Sequence, residues 1–117
     1  MKILLVINDA PYGTEKAYNA LRLAMVLQKE QPDVEIRIFL MADGIFCAIP
    51  NTNTPTGYYN IERMIKSVIS KGGIVKACQS CSQARGLIEM DLIEGLDIGT
   101  MPEYAKWVVE CDKVMTF

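Results

Sequence analysis

The sequence predicts an α/β fold. Short runs of β-branched and other apolar residues alternate along the chain with stretches of helical periodicity, a pattern typical of α/β proteins. The chain has 117 residues, of which 50% are hydrophobic and 22% charged, so its composition is that of an ordinary globular protein. That length suits one domain covering residues 1–117, and we find neither an internal repeat nor a low-complexity tract.

The first elements are a strand, a helix and a second strand. Lys2–Asn8 is mostly apolar, as expected for a strand that is covered on both faces. Turn-forming residues at positions 8–13 end this strand. Thr14 is then expected to cap a helix that runs to about Glu30, and Val34–Met41 is the second predicted strand.

The middle of the chain predicts another helix and a third strand. Asp43–Ile49 suits a short helix, and Pro50–Gly57 is a loop rich in Asn, Thr and Pro. Apolar residues at helical spacing predict an amphipathic helix over Tyr58–Lys71. Two glycines end this helix, and Ile74–Cys78 is the third predicted strand.

Two capping boxes mark the starts of the remaining helices. The first, Ser80–Gln83, predicts a helix that begins at Cys81. Asp97–Gly99 is a short fourth strand, and the second box, Thr100–Glu103, starts the final helix before the last strand, Lys113–Phe117.

The final helix is predicted to turn an apolar face toward the core. The residues assigned to that inward face are Tyr104, Ala105, Val108 and Val109. The Met and aromatic residues of this helix, Met101, Tyr104 and Trp107, are assigned to the core or to a subunit interface rather than to a cofactor site.

Charge and composition exclude several classes of function. With 12 basic and 14 acidic residues the net charge is −2, which gives no reason to expect nucleic acid as a partner. The absence of histidine excludes a Ser-His-Asp or Cys-His mechanism and any His-containing zinc site. No apolar stretch reaches the length of a membrane helix and the amino-terminal run is too short for a signal peptide, so we expect a cytoplasmic protein without a membrane partner.

The sequence Cys78-Gln79-Ser80-Cys81 is the strongest candidate for chemistry. It falls where a predicted strand ends and a helix begins, at the carboxyl edge of the sheet, where α/β proteins place their sites. Helix amides at this position stabilise a thiolate on Cys78, and Cys81 is close enough along the chain to resolve a mixed disulfide or persulfide. Lys76 and Arg85 are neighbouring cations in the sequence.

Two other interpretations of the cysteines remain open at this point. Cys78 and Cys81 are also compatible with two small buried packing residues, since free cysteine is often buried. A zinc site would need Cys47 and Cys111 as further ligands, but these do not form a second Cys-x-x-Cys pair, so we predict no metal and no cofactor. Cys47 and Cys111 are assigned to packing.

The loop after the first strand offers a second, weaker candidate site. It contains Asp9 and Tyr12 but neither of the glycine-rich phosphate-binding patterns. Its simpler role, a tight turn, is favoured. Its functional role would be to wall a pocket near the cysteines, with Asp9 and Tyr12 as the polar lining.

Several segments of the chain together resemble the DsrE/DsrF-like family, and in particular its YchN-like branch of small bacterial and archaeal proteins. These segments are NDAPYGTEKAYNALRLA, FLMADG, GYYNIERMI, CQSCSQARG and DIGTMPEYAKWVVECDKVMTF. The likeness extends over nearly the whole chain. It implies a three-layer α/β/α fold with a mostly parallel, about five-stranded sheet, and assembly into homo-oligomers, commonly trimers or hexamers.

The resemblance also implies a role for one cysteine. In the sulfur-relay members that this chain resembles, a cysteine shortly before an Ala-Arg-Gly stretch carries a persulfide. Here the match is Cys78, followed by Ala84, Arg85 and Gly86. The resemblance therefore implies that Cys78 accepts sulfur, with Arg85 as a candidate binding residue beside it.

The leading hypothesis is a small cytoplasmic sulfur carrier, related to sulfurtransferases, that holds sulfane sulfur as a persulfide on Cys78. Its partners would be sulfur-donor and sulfur-acceptor proteins. One alternative is a thiol–disulfide redox protein that uses Cys78 and Cys81. The other is a non-enzymatic oligomer that binds a small molecule or an anion, with cysteines that only pack.

Overall fold

A parallel five-stranded sheet forms the centre of the protein. The computed structural model describes residues 1–117. The strands are β1 (Lys2–Ile7), β2 (Glu35–Leu40), β3 (Ile74–Cys78), β4 (Asp97–Gly99) and β5 (Lys113–Thr116). The helices are α1 (Lys16–Glu30), α2 (Ile61–Ser70), α3 (Gln79–Ala84) and α4 (Met101–Glu110), and a 3-10 helix covers Ala42–Ala48.

The strand order is β4-β3-β2-β1-β5, and every neighbouring pair is parallel. The α/β fold is therefore confirmed, and the sheet is parallel throughout rather than mostly parallel. Each predicted strand agrees with the observed one to within one residue at either end. Because all strands run the same way, the carboxyl ends of β1, β2 and β3 lie at one edge of the sheet.

Helices cover both faces of the sheet and make three layers. Arg37 and Phe39 of β2 point to one face, where both contact Trp107 of α4. Their neighbours Ile36 and Ile38 point to the opposite face because side chains alternate along a strand, and both are buried there. Helices α1 and α2 pack together on that face. None of the helices combines the length and apolar character needed to cross a bilayer.

Two helices begin later than predicted. Helix α1 begins at Lys16 with Glu15 at the N-cap position, one residue after the predicted cap, although Thr14 Oγ1 does accept from the Lys16 N–H at 3.4 Å while its hydroxyl donates to Asp9 at 2.9 Å. Helix α2 begins at Ile61, because the Asn60 side chain accepts a hydrogen bond from the Arg63 N–H. Asn60 is thus the N-cap that sets the start of this helix.

The inward face of α4 was predicted incorrectly. Trp107 is the buried residue of this helix, whereas Ala105, Val108 and Val109 are exposed. Tyr104 is half-buried and meets Phe39 edge-on, with ring centres 4.8 Å apart, so that single assignment was correct. The Thr100–Glu103 capping box is confirmed, with both of its reciprocal hydrogen bonds present.

Candidate functional site

Cys78 is the last residue of β3 and also the N-cap of α3. Its Sγ accepts a hydrogen bond from the Cys81 N–H at 3.4 Å, and the Ser80 hydroxyl lies 3.4 Å from the same sulfur. The predicted capping box at Ser80 was therefore wrong, and α3 begins two residues earlier than expected. The thiol itself takes the place that a Ser or Asp oxygen occupies in most helix caps.

Ser82 fixes the backbone around this thiol. Its hydroxyl donates to the Cys78 carbonyl oxygen at 2.7 Å, and its side chain is buried. Ser82 was missed from the sequence, although a serine four residues after the cysteine was the available signal. Only 3% of Cys78 is exposed, so the sulfur is enclosed beside the groups that hydrogen-bond to it.

Hydrogen bonds lower the pKa of Cys78 in spite of its burial. Burial raises the pKa, but hydrogen bonds from the side chains of Cys81 and Ser80 and from their backbone amides outweigh that effect, so the pKa lies below its ordinary value of 9.0. These donors favour the thiolate because each of them supplies a hydrogen to the sulfur. Cys78 is therefore the more nucleophilic thiol of the pair.

Cys81 has the opposite character. Burial and its hydrogen bond to Cys78 raise its pKa above the ordinary value, although the Ala42 amide and the nearby Arg85 act to lower it. The Cys81 sulfur accepts from the Ala42 N–H at 3.2 Å, and its thiol donates to Met41 Sδ at 3.8 Å. One thiol is thus prepared for ionisation and the other for keeping its proton.

The turn after β2 delivers the Ala42 amide to Cys81. Ala42 has a left-handed backbone (φ 51°), an unusual conformation for alanine. The Met41 N–H donates to the Ile7 carbonyl oxygen at 2.8 Å, and a Cβ on Gly44 would lie only 2.0 Å from that oxygen. Glycine at position 44 therefore lets the turn pack directly on the end of β1. Met41 and Ala42 were missed from the sequence, where only Gly44 gave a turn signal.

Arg85 is not a free cation in this structure. Its Nε and Nη2 each lie 2.8 Å from Asp43 Oδ1, and its Nη1 donates to the Cys81 carbonyl oxygen at 3.1 Å. The structure thus places Arg85 beside the cysteines, where the sequence predicted a binding residue, but its guanidinium joins α3 to the 3-10 helix.

Asp9 and Tyr12 make no hydrogen bond to Cys78 or Cys81. Asp9 accepts from the Thr14 hydroxyl and lines an open cavity of about 330 Å³ together with Asp43. The Tyr12 hydroxyl accepts from the Ile61 N–H at 3.1 Å, and its ring stacks on Tyr59. The contacts of Tyr12 therefore hold the first loop against the start of α2, and not against the cysteines.

The other two cysteines stay apart from this turn. All four cysteines are free thiols. Cys47 is buried, which raises its pKa to about 12, and its thiol points to the Asp9 carbonyl oxygen at 3.8 Å. Cys111 is half-buried at the end of α4. The structure contains no group of three or more His, Cys, Asp or Glu side chains suited to a metal ion.

The largest cavity, of about 520 Å³, lies against α4 rather than at the cysteines. It is lined by Lys2, Arg37 and Ile74, which lie near the amino ends of their strands, and by residues of α4. Two of its carboxylates already bind cations: Glu110 binds Arg37, and Glu103 binds Lys76. Cys78, at the carboxyl end of β3, therefore lies toward the other end of the sheet from this cavity.

Comparison with known proteins identifies the family. The model of the DsrE/DsrF-like family matches residues 1–117. The chain belongs to this family. It is 39% identical to protein YchN of Escherichia coli over 116 residues, which cover 99% of the chain and 98% of YchN.

Two further comparisons support this result. The crystal structure of the Escherichia coli YchN protein superposes with a TM-score of 0.94 at 38% identity, covering 100% of this chain and 99% of that one. A more distant match is the sulfurtransferase TusD of Salmonella newport, 22% identical over 129 residues and covering 100% of both chains.

Proposed function

We propose that this protein is a sulfur carrier that holds sulfane sulfur as a persulfide on Cys78. The observation that carries the proposal is the hydrogen-bonded state of the Cys78 sulfur, which the Cys81 amide and the Ser80 side chain both contact at 3.4 Å. Membership of the DsrE/DsrF-like family and similarity to a protein named as a sulfurtransferase support the same chemistry.

The loading step needs only the Cys78 thiolate and a persulfide donor. The thiolate attacks the outer sulfur of the donor, a new S–S bond forms on Cys78, and the donor sulfur leaves as a thiolate. No electrons are gained or lost overall, because sulfane sulfur is moved and not reduced.

Mass spectrometry tests this proposal directly. Incubation of the reduced protein with a small persulfide donor should add the mass of one sulfur atom to the peptide that contains Cys78, and Cys78→Ser should abolish the addition. Cys111→Ser is the matched control, because Cys111 is also a free thiol but lies at the end of α4. An unmodified wild-type Cys78, or a Cys78–Cys81 disulfide formed without added sulfur, would contradict the carrier function and favour the redox alternative.

The carrier is proposed to act in the cytoplasm, between a donor protein and an acceptor protein. Its free thiols, Cys78 and Cys81, persist where the surroundings are reducing. Affinity capture of proteins from a cytoplasmic extract, with the wild type and with a Cys78→Ser/Cys81→Ser variant as bait, tests for these partners. Partners that require Cys78 should be lost from the variant.

We further propose that the protein assembles into a homo-oligomer, a trimer or a hexamer. The observation that favours assembly is a group of apolar side chains left exposed on α4 and β5. These are Met101 (58% exposed), Val108 (40%), Val109 (85%), Val114 (42%) and Met115 (40%). Light scattering should give a mass of three or six chains for the wild type and a smaller mass for Val109→Glu. A monomeric wild type would refute the assembly.

A further inference from the structure

Two groups beside Cys81 act to stabilise negative charge on its sulfur, against burial and Cys78, which keep its pKa above the ordinary value. The Ala42 N–H reaches Sγ at 3.2 Å, and Arg85, which donates to the Cys81 carbonyl oxygen at 3.1 Å, adds positive potential. The neutral Met41 sulfur accepts a hydrogen bond from the Cys81 thiol at 3.8 Å, so the thiol proton has an acceptor while Cys81 is neutral. A cysteine that only packs does not need an amide directed at its sulfur.

The fold holds the Ala42 amide in this direction. The left-handed backbone of Ala42 (φ 51°) is unfavourable for alanine and persists only where surrounding contacts impose it. Two backbone hydrogen bonds provide these contacts. The Met41 N–H is bonded to Ile7 at 2.8 Å, and the Gly44 N–H is bonded to Asn8 at 3.1 Å, so both sides of Ala42 are tied to the end of β1.

An ion pair connects this turn to the helix that carries Cys81. Asp43, which follows Ala42 in the chain, accepts from Arg85 Nε and lies 2.8 Å from its Nη2. Arg85 in turn holds the Cys81 carbonyl oxygen. The contacts therefore form a closed ring from the Ala42 amide to the Cys81 sulfur, along α3 to Arg85, and back through Asp43.

We propose that the Ala42 amide, held in place by Asp43 and Arg85 as positioning residues, stabilises the Cys81 thiolate and makes Cys81 the group that discharges sulfur from Cys78. This inference rests on the proposed function, because it assigns the second thiol of the same site.

The discharge step balances without a further reactant. The Cys81 thiolate attacks Cys78 Sγ, the Cys78–Cys81 bond forms, and the bond from Cys78 to the outer sulfur breaks. The outer sulfur takes the electron pair and, with the proton that Cys81 released, leaves as hydrosulfide. Sulfane sulfur is thereby reduced, and the two cysteine sulfurs are oxidised to a disulfide.

Two ionisable groups, Cys78 and Arg85, act on Cys81 and influence how readily it loses its proton. Burial and the neighbouring Cys78 raise the pKa of Cys81, while Arg85 lowers it, and Asp43 faces Arg85 from the 3-10 helix. Loss of the ion pair releases the turn that presents the Ala42 amide. We therefore expect the pKa of Cys81 to rise further in variants that break the pair, which leaves less thiolate at neutral pH.

The first experiment needs no persulfide. In a Cys78→Ser background, which retains an oxygen for the helix cap, the rate of Cys81 alkylation is measured against pH for Asp43→Asn, Arg85→Gln and Arg85→Lys. All three should slow alkylation at neutral pH about fivefold and move its midpoint upward, since a partly exposed ion pair contributes roughly that factor. Lys29→Gln, which breaks a remote surface ion pair, should change nothing.

The Arg85→Lys variant separates positioning from charge. Lysine keeps the positive charge but does not bind Asp43 and the Cys81 carbonyl oxygen with one planar group. If Arg85→Lys leaves the pH dependence of the Cys81 alkylation rate unchanged, only the charge matters and the positioning role is refuted. If Asp43→Asn leaves the profile unchanged, the role of the ring of contacts is refuted as well.

The second experiment measures discharge. Wild-type protein loaded with sulfur on Cys78 should release hydrosulfide and form the Cys78–Cys81 disulfide, and Asp43→Asn should slow both about fivefold. Cys81→Ser should stop both. Release at the wild-type rate from Asp43→Asn would overturn the inference. Failure of the wild type to load any sulfur would refute the carrier function instead, and the alkylation profiles would still decide the role of Ala42.

Discussion

Replacing Glu62 by glutamine should destabilise the protein in a pH-dependent way. Glu62 is the second residue of α2, and its side chain is 8% exposed. Its Oε2 accepts from the Asn51 N–H at 3.0 Å and lies 3.0 Å from Lys66 Nζ. Its Oε1 accepts from the N–H and the hydroxyl of Thr52, at 2.9 and 3.1 Å. In Glu62→Gln, the side-chain amide group would direct its own N–H donors toward the donors that now bind the carboxylate.

The size of the effect follows from the pKa of Glu62. Burial raises this pKa, but the hydrogen bond from the Asn51 amide, the Lys66 ammonium and the two donors of Thr52 outweigh it and lower the value from 4.5 to about 2. The corresponding free energy is about 3 kcal/mol. Because the folded-state pKa is the lower one, this stability is complete above about pH 4.5 and is lost as the pH falls toward about 2.

Urea denaturation of the wild type and of Glu62→Gln measures this contribution. At about pH 7 the variant should have a free energy of unfolding about 3 kcal/mol lower, and at about pH 2.5 the difference should fall to about 1 kcal/mol or less. Glu89→Gln is the control, since Glu89 is an exposed carboxylate outside every ion pair of the structure. A difference that does not change with pH, or one below about 0.5 kcal/mol at neutral pH, would refute the reasoning.

Two further substitutions test the packing that positions the site. Gly44→Ala should lower the free energy of unfolding by more than about 2 kcal/mol, because its Cβ would lie 2.0 Å from the Ile7 carbonyl oxygen, whereas Gly13→Ala, with open space around it, should cost less than about 1 kcal/mol. Equal thermal stability of the two variants would contradict the close approach. Trp107→Ala should cost about 3–5 kcal/mol in urea, since the indole is 7% exposed and packs against Phe39. A cost below about 1 kcal/mol would show that α4 is held mainly by other contacts.

The sequence predicted the strands more accurately than the helix starts. β1 is apolar after Lys2 and β2 is mostly apolar, and both were placed to within one residue at each end. Helix starts depend on which side chain reaches a free amide, and several candidates compete within a few residues. Thr14 and Ser80 are good capping residues by type, but Glu15 occupies the N-cap position of α1, and Cys78 Sγ accepts from the Cys81 N–H and caps α3 in place of Ser80.

The orientation of α4 shows a second limit. Ala105, Val108 and Val109 are apolar and were assigned to the core, yet the structure buries Trp107 and leaves all three exposed. The reason lies in the sheet: Arg37 and Phe39 of β2 form the surface that α4 covers, and an indole contacts both a cation and a ring. The sequence of α4 alone does not reveal which side chains the sheet places against the helix.

The sequence by itself determined the α/β class, the positions of the strands, and the location of a Cys-x-x-Cys pair where a strand ends and a helix begins. These follow from local periodicity and from residue types that are neighbours in the chain. Only the tertiary structure decided how the two thiols differ, because the groups around Cys81 come from the turn after β2, about forty residues earlier in the chain. Parallel strands bring those ends to one edge of the sheet, and this juxtaposition gives each sulfur its own hydrogen-bond donors.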